Sequence, residues 1–175
     1  MVARLEYFLR NTVRTYRVTL ADLTTSTAGS TSGAQTYFEI VGAPNKKVKL
    51  RHFQNFKPSG AIAPFRLAQN SVATTGSTGQ TLISPTRISG SGDSTFGGTV
   101  RFYSVGPPSG SGTLLNQGFI LDQDLSTGDV VNEGFGDPHG IASPELISTS
   151  ESFVGLVTSS SAVILNGYLE FTEEP

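Results

Sequence analysis

The sequence has no cysteine, no tryptophan and only two histidines, His52 and His139. Without cysteine there is no disulfide framework and no thiolate metal site, and so few histidines leave little of the usual repertoire for acid–base or metal chemistry. No apolar run approaches the length needed to cross a bilayer. Charges interrupt the apolar residues of the first ten positions, unlike the unbroken core of a signal peptide, so no membrane partner is expected. Basic residues are missing beyond Arg101. Twelve basic and four acidic residues up to Arg101 give that part a net +8, and the ten acidic residues after it give the rest −10. Long basic runs with interleaved aromatics are lacking too, so direct nucleic-acid binding is not expected. The two halves are expected to interleave and neutralise each other on one surface.

At 175 residues the chain is long enough for one domain with a substantial core. The strongest pattern lies near its end. In residues 161–172, Val163, Leu165, Leu169 and Phe171 fall on one side of an extended chain. Ile164, Asn166, Tyr168 and Glu170 fall on the other, the two-residue alternation of a half-buried strand. Its length predicts a central strand with a second sheet over its apolar face, followed by Glu173, Glu174 and Pro175 as a solvated tail.

Further strands are expected from Thr12 to Leu20, with Tyr16, Val18 and Leu20 inward, then over residues 37–41 and 47–56. Residues 61–68 form another, which Pro64 pushes towards an edge or a bulge. Residues 81–88, 99–105, 114–121, 144–148 and 152–157 follow, separated by Gly, Pro and Ser turns. Eight or nine short strands with long irregular loops and no long helix predict an all-β, two-sheet antiparallel sandwich of Greek-key or jelly-roll type. It occupies residues 12–175. Residues 1–11 form a short N-terminal arm or helix, in which Val2, Leu5, Phe8 and Leu9 recur at helix-like spacing over too few residues to be stable alone.

Chemistry is sparse. Asp122, Asp124, Ser126, Gly128 and Asp129 place oxygens at the spacing a hard cation favours, but the EF-hand glycine comes one residue late and Glu133 lacks its flanking helix, so a solvated acidic loop is expected. His139 follows Asp137 in a Pro and Gly turn without a specified partner, and His52 shares the Val48 and Leu50 face of its strand as a packed histidine. The glycine-rich residues 89–98 lack the lysine of a phosphate loop. Tryptophan is absent, and the tyrosines at 16, 37 and 103 lie inside predicted strands, so a sugar platform is not supported. No catalytic residue, cofactor or resident metal is assigned.

Strand Tyr16 to Leu20, residues 38–44 with Lys47 to Arg51 behind them, Gly98 to Arg101, and the closing Gly167 to Glu173 together resemble the small β-rich structural proteins of tailed-phage morphogenesis regions. Some similar jelly-roll proteins decorate or cement capsids, commonly as trimers. The resemblance implies a virion protein made in the host cytoplasm and placed on the phage head surface. Its partners would be the major capsid protein and copies of itself, with the arm (Val2, Leu5, Phe8, Leu9) in attachment. The alternative it implies is a tail, fibre or baseplate component that binds a host surface glycan or another tail protein. A small hydrolase or lyase built on His139 is a third class, and the residues supply no partner for it.

Overall fold

A computed structural model of the chain describes residues 13–25, 35–59, 63–73, 80–89, 95–103, 114–136, 142–157 and 163–175. These form twelve strands and no helix. In chain order they are β1 (Arg14–Thr25), β2 (Gln35–Val41), β3 (Lys47–Ser59), β4 (Ala63–Asn70), β5 (Gln80–Leu82) and β6 (Thr86–Ser89), then β7 (Thr99–Tyr103), β8 (Leu114–Leu125), β9 (Val130–Gly134), β10 (Glu145–Leu146), β11 (Ser152–Val157) and β12 (Val163–Glu174). They pair as two antiparallel sheets. The first has the order β10-β3-β12-β1-β6, with β9 also on β3, and the second has the order β5-β7-β2-β11-β4-β8. The fold is a two-sheet all-β sandwich.

β12 lies between β1 and β3, bonded on both sides along most of its length. Its inward row is Leu165, Leu169 and Phe171, each at most 1% exposed. Val163 belongs to β12 opposite Thr25. Tyr16, Val18 and Leu20 of β1 are buried beside that row. The space between the sheets is filled largely by aromatics, whose offset and edge contacts add to area burial. Phe65, Phe53 and Phe38 form a run that crosses from sheet to sheet and back, at centroid separations of 5.2 and 6.2 Å. Tyr37 and Phe102 extend it at 5.2 Å, and Tyr37 also donates a hydrogen bond to the Leu165 carbonyl at 3.1 Å. Burial pushes the Tyr37 phenol far above its ordinary value, so it stays a neutral donor.

Gly155 of β11 lies directly beneath the Phe38 ring, where a methyl group would clash. A side chain there would displace a ring against which Tyr37 and Phe53 pack, and such overpacking costs roughly 1–3 kcal/mol.

The structure departs from the sequence reading at several places, each for a local reason. Of the tail expected at Glu173, Glu174 and Pro175, only Pro175 lies beyond β12 and is exposed; Glu173 and Glu174 end the strand, Glu173 is 3% exposed, and its carboxylate accepts from the Gly97 backbone N–H at 3.0 Å and pairs with Arg14 at 3.5 Å. Alternation puts Glu173 in the inward row with Phe171, and partners at the sheet end make that burial tolerable.

His52 does not share the Val48 and Leu50 face. β12 residues Glu170 and Phe171 pair with His52 and Leu50, so Arg51 is an extra residue and the strand phase slips by one. His52 therefore turns outward, against Tyr168 at 5.2 Å, while Phe53 and Asn55 turn inward and are fully buried. A second irregularity opposite Ile164 and Asn166 lets β3 continue through Lys57, also buried, to Ser59.

Pro64 does not make β4 an edge. β4 sits between β11 and β8, and Pro64, opposite Asp124 of β8, lies just before Phe65, where pairing with β11 begins, so the proline stands where the strand is paired on one side alone. The acidic stretch beginning at Asp122 is not a loop until Ser126, because β8 runs to Leu125. β1 runs on past Leu20, where the expected strand ends, to Thr25. β9, a strand not expected from the sequence, pairs along β3 from His52 to Phe56.

Candidate functional site

The uneven charge of the sequence resolves into ion pairs across strand neighbours. Arg14, Arg17, Lys49, Arg51 and Arg66 meet Glu173, Glu170, Glu174, Glu174 and Asp122, at 3.5 Å for Arg14, 3.1 Å for Arg51 and 3.0 Å for Arg66. Lys47 approaches Glu145 at 4.0 Å. Each joins the basic first part to the acidic second part, because β1, β3 and β4 neighbour β12, β10 and β8.

At the end of β12, Lys49 donates to Glu174 at 2.6 Å and Arg51 at 3.1 Å, with the Thr172 hydroxyl also bonded to it. Burial works to raise the Glu174 carboxyl, but the hydrogen bond and charge of Lys49 and the charge of Arg51 outweigh it and hold the group below its ordinary value. A carboxyl lowered in the folded state contributes stability that is fully present above the ordinary glutamate value, near 4.5, and is lost as pH falls through the lowered value. Acid melts should therefore show a loss of stability in that window which Glu174→Gln removes; equal acid sensitivity in both proteins would contradict the assignment.

Two surfaces carry recognisable groups. The first is the outward face of the first sheet, where register aligns side chains in rows. One row is Arg17, Glu170 and His52; the next is Thr19, Tyr168, Gln54 and Asn132; a third is Asn166, Phe56 and Val130. Arg17 donates through Nε to Glu170 at 2.9 Å, and its guanidinium lies 4.7 Å from the centre of the Tyr168 ring. Phe56 and Val130 are exposed. Flat rings beside amide side chains can stack on and hydrogen-bond to a polar ligand. The tyrosine positions considered from sequence, Tyr16, Tyr37 and Tyr103, are each about 1% exposed, so the accessible ring in this face, Tyr168, is a different one.

The second surface is at the open side of the sandwich. Residues 80–89 pass from β5, at the edge of one sheet, to β6, at the edge of the other. Between them and β7 lies an open cleft of about 240 Å³, walled by Leu82, Ile83, Pro85, Phe96, Thr99 and Val100. Leu82 is 66% exposed and Ile88, on β6, 46%. Phe96 also packs on Phe171 at 4.9 Å and on Tyr16 at 5.5 Å, so one wall of the cleft is the core itself.

A buried charged cluster escaped the sequence reading. Glu39, fully buried in β2, accepts a hydrogen bond from the Tyr103 hydroxyl at 2.9 Å and lies 3.6 Å from the Arg101 guanidinium. Burial first, and the Glu39 charge second, push the Tyr103 phenol up. The available signal was a lone glutamate inside the apolar run from Tyr37 to Val41.

The other candidates separate. Asp122 pairs with Arg66, Asp124 is exposed on β8, and Asp129 closes a tight turn by accepting the Ser126 N–H at 2.6 Å, with Gly128 at φ +93°. Glu133 lies across the strand pair from Phe53. Among the described residues no group of three or more metal-ligating side chains comes together, and no helix is long and apolar enough to cross a membrane. Val2, Leu5, Phe8, Leu9, Asp137 and His139 lie outside the described residues. No protein-family model, curated protein or solved structure matches the chain.

Proposed function

We propose that the chain is a structural protein of a tailed-phage particle, a capsid decoration protein that binds the major capsid protein and copies of itself as a trimer, without catalysis. One observation carries the reading beside the resemblance: β12 is locked between β1 and β3, and its ion pairs close the body at one end. A rigid body whose weak outer contacts are repeated over a lattice gains strength through multiplicity. The strand order also supports the jelly-roll form of the sandwich. Leaving aside β5, β6, β7 and β10, the chain crosses between the sheets at every step except from β4 to its neighbour β8, which gives β1-β12-β3-β9 facing β2-β11-β4-β8, the order of two interlocked Greek keys.

The polar and aromatic rows around Tyr168 favour a second reading, a tail or fibre component that binds a host glycan. Immunogold labelling of intact particles separates the two. Label over the head is expected; label confined to the tail would overturn decoration in favour of the glycan reading, and absence of label would overturn both. Because the charge halves pair within the body, head attachment is further expected to survive a rise in salt that screens exposed charges within about 3 Å at 1 M. Release of the protein in high salt would show that attachment runs through unpaired charges instead.

A further inference from the structure

Among the described residues every arginine but one has a carboxylate partner. Arg14, Arg17, Arg51, Arg66 and Arg101 are paired, whereas Arg87 of β6 makes no ion pair, and its Nη1, shut off from solvent, has no hydrogen-bond partner. A guanidinium cannot shed its proton to escape that cost, so a buried N–H left without an acceptor calls for an explanation.

Register places this guanidinium. Arg87 lies opposite Tyr16, and Tyr16 opposite Phe171, so Arg87 extends the inward row of the first sheet at its edge. The Tyr16 ring packs on Phe96 at 5.5 Å, and Phe96 and Pro85, the latter two residues before Arg87, are walls of the cleft of about 240 Å³. The cation therefore stands beside an apolar opening. The inward carboxylate that register brings nearest among the described residues, Glu173, already accepts from the Gly97 N–H and pairs with Arg14. The wall itself is preformed, because Phe96 is held by Tyr16 and Phe171 and lies over Gly98, where a side chain would collide with the ring.

We propose that the cleft and Arg87 form one binding site for an extended acidic segment of a partner protein, with an apolar side chain in the cleft and the adjacent carboxylate on the Arg87 guanidinium. The cleft is smaller than most small-molecule pockets, which span about 300–1,000 Å³, and suits one or two apolar side chains. Among the described residues β5 and β6, which flank it, are edge strands with one partner each. Their free sides offer main-chain donors and acceptors to a chain laid along them, so the edge supplies affinity while the cleft and Arg87 select the side chains. The guanidinium fork can donate two parallel hydrogen bonds to a carboxylate. One cation among apolar walls matches that single charge, and would leave a phosphate, with a charge near −2, uncompensated.

The site does not rest on the particle reading and is tested with purified full-length protein by NMR. Short end-blocked peptides carrying Leu, Ile, Val or Phe next to Glu are titrated beside the same peptides with Gln, and beside octanoate. Backbone signals of Leu82, Ile83, Arg87 and Val100 are expected to move with the acidic peptides. The best of these should bind at least roughly tenfold more tightly than its Gln counterpart, which lacks the charge-assisted hydrogen bond. That comparison is made within the unsubstituted protein, so it stands whatever a variant does to folding.

Arg87→Gln should erase the difference between Glu and Gln peptides. Leu82→Ser, at a side chain 66% exposed, should weaken every peptide with no change in melting temperature. Equal binding of the Glu and Gln peptides would overturn the role of Arg87, and no shift with any peptide would overturn the site. Octanoate binding more tightly than every peptide would overturn the protein partner in favour of an aliphatic acid. Each of these failures leaves the immunogold result, and with it the location on the head, to be judged separately.

Discussion

Leu165→Asp is expected to abolish folding. Leu165 is 1% exposed in the inward row of β12, opposite the aromatic run between the sheets, and its backbone carbonyl already accepts the Tyr37 hydroxyl. The substitution removes a packed side chain, a loss of about 2–5 kcal/mol. It also leaves a carboxylate without a partner between two sheets, which costs several kcal/mol more even after relaxation or protonation. Together these rival the whole stability of a domain, about 5–15 kcal/mol. Far-UV circular dichroism and the soluble yield check this, with Leu165→Met as the comparison, expected to cost less than about 1.5 kcal/mol. A soluble Leu165→Asp protein with a native-like cooperative melt would mean that β12 does not bury this row.

The second large effect is expected at the end of the sequence. Removing residues 173–175 takes away two strand positions, Glu173 opposite Val48 and Glu174 opposite Lys47, together with the carboxylates that hold Arg14, Lys49 and Arg51. The Gly97 N–H loses its acceptor as well. Leaving one partner of a buried ion pair alone costs about 3–5 kcal/mol; Glu173 is buried but Arg14, the partner left behind, is 28% exposed, which puts this pair at the lower end of that range. The Glu174 pairs are partly exposed and add less. A loss of about 3–5 kcal/mol in denaturant unfolding is expected, with Glu173→Gln recovering part of it because an amide still accepts from Gly97. A truncated protein as stable as the full chain would restore the view of these residues as a solvated tail.

Both expectations concern one strand, and they bear on the proposed role differently. The Leu165 substitution tests whether the body exists as a sandwich. The truncation tests whether its first sheet is closed by charge at one end, since Arg14 is at once the first residue of β1 and the partner of Glu173.

Two-residue alternation made β1 and β12 legible, because a strand with one buried face must repeat apolar residues at that period, while β2, β7 and β11 stood out as short apolar runs between turn residues. The burial of Tyr16, Val18, Leu20, Leu169 and Phe171 follows from the same rule. The sandwich class followed from many such segments separated by turn residues. Pairing within the body of a basic and an acidic half was legible as well, since a nearly neutral total with a strong asymmetry calls for it.

What alternation cannot carry is a change of phase. One extra residue at Arg51 turned His52 outward and sent Asn55 in, and no local signal in residues 47–56 marks the slip; it is set by the register that β12 imposes from more than a hundred residues away. Glu173 and Glu174 look like a tail on their own, and only Arg14, Lys49, Arg51 and Gly97, brought together by the sheets, make their burial stable. The cleft likewise has no sequence signature, because its walls come from the crossing between two sheet edges and from Phe96, which stood in a glycine-rich stretch. The sequence by itself determined the class of fold, its principal inward residues and the internal balance of charge, all of which depend on near neighbours or on totals. Register, the Tyr168 rows, the Glu39 cluster and the cleft were decided by tertiary structure, because each is a contact between strands far apart in the chain.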